Sequence, residues 1–69
     1  MENGKIDRLN FPRGFGFISQ PHNRNLFFHF SDLADGLEFD DGSLVGLQVE
    51  FEVIATDRGP RAKNIRPAP

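Results

Sequence analysis

Glycine and proline interrupt this 69-residue chain so often that a fold built on long helices is excluded. The segments between them are short and alternate with a period of two rather than 3.6 residues. We predict strands at about 4–10, 14–20, 25–30, 46–55 and 60–66, with tight turns and one longer loop over 31–45. Five short strands with such connections indicate a small all-β barrel or sandwich. The interrupting residues are Pro12, Gly14, Gly16, Pro21, Gly36, Gly42, Gly46, Gly59 and Pro60.

Length and composition narrow the class of protein. A chain of this size forms one domain, which we expect to span 1–69 with a frayed tail at about 67–69. There is no Cys, so disulfides and thiolate zinc sites are excluded, and His22 and His29 do not have a recognised ligand spacing. We expect neither a secretory signal nor a membrane span, because the first ten residues lack an apolar h-region and no apolar run in this sequence reaches membrane-spanning length. We therefore expect a cytoplasmic monomer with no metal, no cofactor and no membrane or small-molecule partner.

The segment LQVEFEV, 47–53, is typical of a half-buried strand, because its apolar residues fall on one face and its polar residues on the other. This strand guides our assignment of side chains to the core of the barrel. The predicted core consists of Ile6, Ile18, Leu26, Phe28, Val49, Phe51, Val53 and Ile65.

The second and third predicted strands carry aromatic or apolar side chains on both faces. If the core is as predicted, Phe15, Phe17, Phe27 and His29 point outward on adjacent strands. Exposed rings reduce solubility unless a partner covers them, and the neighbouring Gly14 and Gly16 would let a flat partner approach the sheet closely. The alternative is that Phe15, Phe17 and Phe27 are simply core residues.

Charge is segregated along the sequence, although the formal net charge is only -2. Seven acids and no Lys or Arg lie between 32 and 52, while segments 4–31 and 53–69 each sum to +3. The loop within this acidic segment could repel phosphate along one edge of the protein, or it could simply be a solvated turn. Rings beside cations are what single-stranded nucleic acid requires, because bases stack on the rings and cations follow the phosphates.

Three stretches together resemble the cold-shock domain family over nearly the whole chain. RGFGFI, 13–18, is similar to the family's first ribonucleoprotein motif, LFFHF, 26–30, to its second, and RGPRAKNI, 58–65, to its closing turn and last strand. The resemblance implies a five-stranded antiparallel OB-fold barrel that binds single-stranded RNA or DNA. It also implies a role as an RNA chaperone or as a regulator of transcription or translation.

The resemblance also implies the site. Phe15 and Phe17 fall at base-stacking positions of the second strand, and Phe39 matches the family's loop aromatic, although Leu37 could align there instead. With Arg8 and Phe11 added from this chain's own departures from the family pattern, the predicted nucleic-acid-binding residues are Arg8, Phe11, Arg13, Phe15, Phe17, Phe27, His29, Phe30, Phe39 and Arg58. Any one of Lys5, Arg24, Arg61 and Lys63 is more simply a solvated surface charge.

The first strand departs from the family pattern. The family's Lys-Trp-Phe-Asn is replaced here by DRLN, 7–10, so one cation becomes an anion and two rings are lost. The guanidinium of Arg8 can stack on a base and replace the Trp in part. Phe11 either supplies a further ring or forms an apolar plug beneath the turn.

Catalysis is not expected from this sequence. His29, Ser31 and Asp32 are close along the chain, but strand alternation should turn neighbours to opposite faces, so they should not form a triad. We therefore predict a protein that binds single-stranded nucleic acid with low sequence specificity and is not an enzyme. The alternative is an OB-fold protein-interaction module that has weakened or lost nucleic-acid binding.

Overall fold

The five predicted strands are present in a computed structural model, which describes residues 1–21, 25–34, 37 and 43–68. Two short 3-10 helices, Phe11–Arg13 and Phe30–Asp32, follow the first and third strands. Within the described ranges no helix is long and apolar enough to cross a membrane. The strands are β1 (Glu2–Asn10), β2 (Phe15–Ser19), β3 (Leu26–His29), β4 (Gln48–Thr56) and β5 (Gly59–Pro67).

The strands close into a barrel in the order β1-β2-β3-β5-β4, which confirms the predicted five-stranded all-β barrel. Neighbouring strands are antiparallel except at the seam between β3 and β5, which is parallel and pairs Phe27 with Arg61. The seam is parallel because β4 lies between these two strands in the sequence and reverses the chain once more. A further parallel bridge joins Leu33 to Ile65 just beyond β3.

The barrel interior holds the predicted core with one exception. Val53 is 44% exposed, so its assignment to the core is wrong. The reason is the extent of β1, which pairs with β4 only as far as Phe51. Among the described residues, the rest of β4 then pairs with β5 alone. The buried hydrophobic residues are Ile6, Ile18, Leu26, Phe28, Leu44, Val49, Phe51, Ala62 and Ile65.

The two glycines beside the rings serve the protein rather than a ligand. A Cβ on Gly16 would lie 2.7 Å from the Phe28 ring and 2.8 Å from the Arg8 carbonyl oxygen, so the missing side chain allows β2 to pack onto the core and β1. Gly14 adopts a left-handed conformation with φ 76°, and a Cβ there would lie 2.9 Å from the Phe30 ring. The expectation that these glycines leave room for a flat partner is therefore wrong.

The last described residues extend the barrel. Pro67 is the last residue of β5 and pairs with Val49, and the Ala68 backbone N–H donates to the Gln48 carbonyl at 2.9 Å. The fraying expected at about 67–69 stays a prediction, and Pro69 lies outside the described residues.

Candidate nucleic-acid interface

Three phenylalanine rings form a cluster on the outer surface of β2 and β3. The ring centroids of Phe15 and Phe27 are 5.6 Å apart, those of Phe15 and Phe17 are 5.9 Å apart, and those of Phe17 and Phe27 are 6.0 Å apart. Phe27 is 36% exposed and the other two are half-buried, so none of them belongs to the core. We call Phe15, Phe17 and Phe27 the aromatic cluster.

Strand pairing explains why the cluster forms. Phe17 lies directly opposite Phe27, and Phe15 lies opposite His29, so all four side chains share the outer face of this antiparallel pair. Phe28 lies between Phe27 and His29 and points inward, where it is fully buried. Alternation along one short strand thus divides the LFFHF motif between the core and the surface.

Arg8 lies over one face of the aromatic cluster. The β1–β2 ladder shifts by one residue between Ile6 and Arg8, with Asp7 as the extra residue, and this shift places Arg8 opposite Phe17. The guanidinium carbon is 4.7 Å from the Phe17 ring centroid, a cation–π geometry. Arg8 thus occupies the outer face, where its planar group covers Phe17.

The first 3-10 helix borders this surface. Phe11 is 52% exposed at its start, so the interpretation of Phe11 as a plug beneath the turn is wrong. Arg13 is exposed in the last turn of the same helix. A groove of about 440 Å³ runs between this helix and the aromatic cluster. Its lining includes Arg8, Phe11, Phe15 and Phe17.

A second groove, of about 620 Å³, lies on the other side of Phe27, between β3 and the turn that joins β4 to β5. We call it the seam groove, and its lining is Phe27, His29, Thr56, Asp57, Arg58, Gly59, Pro60 and Arg61. The Thr56 hydroxyl fixes the turn by donating to the Gly59 carbonyl at 2.6 Å and accepting from the Arg58 backbone N–H at 3.2 Å. The turn therefore places Arg58 beside the predicted ring residues of β3.

β3 ends at His29, so the strand alternation expected for the next residues does not continue there. The 3-10 helix that begins at Phe30 brings the Ser31 hydroxyl to 3.0 Å from His29 Nδ1, so alternation does not separate these two side chains. The Asp32 carboxylate accepts from the His29 backbone N–H at 2.9 Å and not from its ring, so the three groups are not arranged as a triad. Phe30 is 51% exposed, with its ring 4.5 Å from that of His29.

Asp32 and Arg61 form a bidentate ion pair that the sequence does not predict. Arg61 Nε donates to Asp32 Oδ2 at 2.7 Å and Nη2 donates to Oδ1 at 2.9 Å. Asp32 is 7% exposed, so it is neither a solvated loop acid nor a group free to repel phosphate. Arg61 is likewise paired rather than a simply solvated charge.

The pKa of Asp32 reflects two opposing effects. Burial raises the pKa, but the hydrogen bonds from Arg61 and from the His29 backbone N–H, together with the nearby positive charge, outweigh burial and hold the pKa of Asp32 below the ordinary value of an aspartate. The lowered pKa means that folding favours the ionised form. The stabilisation is complete above the unfolded-state pKa and is lost as the pH falls through the folded-state value.

We therefore expect the melting temperature to fall when the pH is lowered from 5 to below 3, in part because Asp32 becomes protonated. The matched variant Asp32→Asn should melt at a lower temperature than the wild type at pH 7, and the difference should shrink as the pH falls. Thermal unfolding followed by circular dichroism at several pH values measures both. A difference that stays constant with pH would contradict the role given to this carboxylate.

The two alternative positions for the loop aromatic are Phe39 and Leu37. Phe39, proposed as the loop aromatic, lies outside the described residues. Leu37 is described and is partly buried against the core. Within the described part of the chain no cluster of three or more His or acidic side chains could hold a metal ion.

Comparison with known proteins agrees with this geometry. The profile of the "Cold-shock" DNA-binding domain family matches residues 2–68. The chain is 36% identical to cold shock protein CspD of Bacillus subtilis and 39% identical to cold shock protein CspA of Staphylococcus aureus, in each case over 94% of this chain and 96% of the relative.

A solved structure described as drosophila Unr CSD456 is similar with a TM-score of 0.75 and 33% identity. The match covers 99% of this chain but only 26% of that longer one. The family match, the bacterial relatives and the shared barrel agree over almost the full length of the sequence. The chain therefore belongs to the cold-shock domain family, whose members generally bind nucleic acid.

Proposed function

We propose that this protein binds single-stranded RNA or DNA across the aromatic cluster, with low sequence specificity and without catalysis. By keeping strands unpaired it acts as an RNA chaperone or as a regulator of transcription or translation, as a monomer in the cytoplasm. The observation that carries the proposal is the placement of Phe15, Phe17 and Phe27 outside the core, with centroids within 6.0 Å of one another.

The cluster offers stacking surfaces on two adjacent strands. Stacking of a base on an aromatic side chain contributes roughly 1–3 kcal/mol, and it tolerates any base because every base has a π-face. Phe11 and Phe30, each about half exposed, extend the apolar surface to either side. Arg8 adds a planar cation, which can stack on a base while its charge faces a phosphate.

Local charge supports the same ligand despite the net charge of -2. Arg8 lies over the Phe17 ring and Arg58 lines the seam groove, while Arg13 ends the 3-10 helix whose first two residues line the other groove. Two of the acids are held in ion pairs, Asp32 with Arg61 and Glu50 with Arg66, each at 2.7 Å. The cations Arg8 and Arg58 beside the rings supply the attraction for a phosphate backbone.

Titration of a fluorescently labelled heptathymidine, followed by anisotropy, tests the proposal. We expect micromolar or tighter binding at low salt and weaker binding as salt is added. About four phosphate contacts give a slope near -3 in a plot of log binding constant against log salt, at roughly -0.7 per contact. Arg58→Gln should reduce the magnitude of that slope by about 0.7.

Arg66→Gln is the matched control. It also removes one positive charge, but Arg66 is paired with Glu50 and lines neither groove. Its slope should equal that of the wild type. Absence of binding at low salt would refute the proposal and favour a protein-interaction module on the same fold. Equal slopes for Arg58→Gln and the wild type would remove Arg58 from the interface.

A further inference from the structure

We infer that the seam groove selects guanine, through the guanidinium of Arg61 held in place by the buried carboxylate of Asp32. The inference rests on the proposed function and adds one preferred base to a site that otherwise stacks bases without reading them. Arg61 pairs with Phe27 across the seam, and both line the groove. A base stacked on Phe27 at this seam therefore lies beside Arg61.

The geometry of the ion pair leaves three N–H groups of Arg61 as donors for a ligand. Nε and Nη2 of Arg61 each donate one hydrogen to Asp32, and no described residue accepts from Nη1. A guanidinium has five N–H groups in one plane, so both hydrogens of Nη1 and the second hydrogen of Nη2 are left for a ligand. The edge formed by Nη1 and Nη2 presents two parallel donors, which match the O6 and N7 acceptors of guanine.

Asp32 acts here as a positioning residue. Its carboxylate is 6% exposed and is fixed by the His29 backbone N–H, whereas the Arg61 side chain is 34% exposed. One side of the guanidinium is therefore anchored below the surface while the other side faces the groove. A planar group fixed in this way loses little conformational freedom when it binds a base edge.

Charge favours a base edge over a phosphate as the acceptor. The carboxylate of Asp32 neutralises Arg61 locally, and Asp57 adds a further acid to the lining of the same groove. Both carboxylates lower the attraction for a phosphate anion, but they leave the hydrogen bonds to a neutral acceptor intact. Arg58 is the groove's other cation and has no carboxylate partner among the described residues, so it suits the phosphate better.

The test compares labelled heptathymidine with seven relatives, each carrying one dG in place of dT at a different position. The wild-type protein should bind one of these strands about tenfold more tightly than heptathymidine, within the range of a bidentate arginine–guanine contact. Replacing that guanine with 7-deazaguanine removes N7 alone and should reduce the preference at least threefold. This arm uses the unaltered protein, so it does not depend on whether any variant folds.

Variants then assign the preference to the ion pair. Arg61→Lys keeps the charge but loses the fork, so it should abolish the preference, measured as the ratio of the affinities for the dG strand and for heptathymidine. Arg66→Lys is the matched control and should retain the preference. Asp32→Asn, measured below its melting temperature, should weaken the preference and steepen the salt slope for heptathymidine by about 0.7, because it restores a free charge on Arg61.

The outcomes are distinguishable. If heptathymidine binds but no dG position is preferred, or if the preference survives either 7-deazaguanine or Arg61→Lys, the guanine site is refuted and the proposed function stands. If Arg61→Lys lowers the affinity for every strand by the same factor, the preference does not depend on Arg61 and the inference is wrong. If none of the strands binds at low salt, both proposals fail.

Discussion

Replacing Phe15 and Phe27 together with alanine is expected to weaken the binding of heptathymidine by at least about thirtyfold while the barrel stays folded. Each ring is expected to stack one base at roughly 1–3 kcal/mol, so the pair contributes about 2–6 kcal/mol. The fold should survive because neither ring is buried in the core. Anisotropy titration measures the affinity, and thermal unfolding followed by circular dichroism measures the fold.

Val53→Ala is the control for this double variant, because Val53 is an exposed apolar side chain on β4 that lines neither groove. It should leave the affinity unchanged. If the double variant unfolds, the rings of the aromatic cluster support the structure more than they serve a ligand. If it folds and still binds as the wild type does, nucleic acid lies elsewhere on the surface.

Phe28→Ala is expected to have the opposite effect, although Phe28 is the next residue along the chain from Phe27. Its ring is fully buried at the centre of the core. Removing a buried Phe side chain costs about 3–5 kcal/mol, which is comparable to the whole stability that a core of this size supplies. We expect the variant to be largely unfolded at 25 °C, as seen in its circular dichroism spectrum and in the loss of a cooperative urea transition.

Phe28→Leu keeps most of the buried volume and should cost less than Phe28→Ala, which makes it the matched control. A cooperative transition of Phe28→Ala at a urea midpoint close to that of the wild type would contradict the position of this ring in the core. Together the Phe27 and Phe28 variants test whether alternation along β3 separates binding from stability.

Much of the barrel follows from the sequence, because turn residues mark where strands end and alternation marks which face is buried. Val53 shows the limit of that reasoning. Alternation places Val53 on the same face as Phe51, but it does not say how far the neighbouring strand extends. Leu44, a core residue in the connection before β4, has no periodic pattern around it that would have revealed its burial.

The outward direction of the rings could be predicted because Phe15, Phe17 and Phe27 lie on strands whose inner faces were already filled. The position of Arg8 depends on a ladder shift at Asp7, and a single extra residue in a ladder leaves no mark in the pattern of a single sequence. Whether Arg8 stacks on a base stays a prediction until a bound strand is measured.

The pair of Asp32 and Arg61 could not be predicted for a different reason. The two residues are 29 positions apart, and they meet only because the parallel seam places the end of β3 beside β5. The predicted separation of His29, Ser31 and Asp32 requires a continuing strand, whereas the chain begins a 3-10 helix at Phe30. Strand periodicity carries no information beyond the residue where the strand ends.

The parallel seam between β3 and β5 is the junction of the barrel with the fewest paired residues in the described part of the chain. The other neighbouring strands share extended antiparallel ladders, whereas β3 and β5 are registered only at Phe27 and Arg61 among the described residues. Local opening occurs most readily where the fewest interactions must break. Closure along this line therefore depends heavily on the ion pair of Asp32 and Arg61 and on the parallel bridge between Leu33 and Ile65. We expect loss of the ion pair to loosen this junction before it affects the antiparallel hairpins.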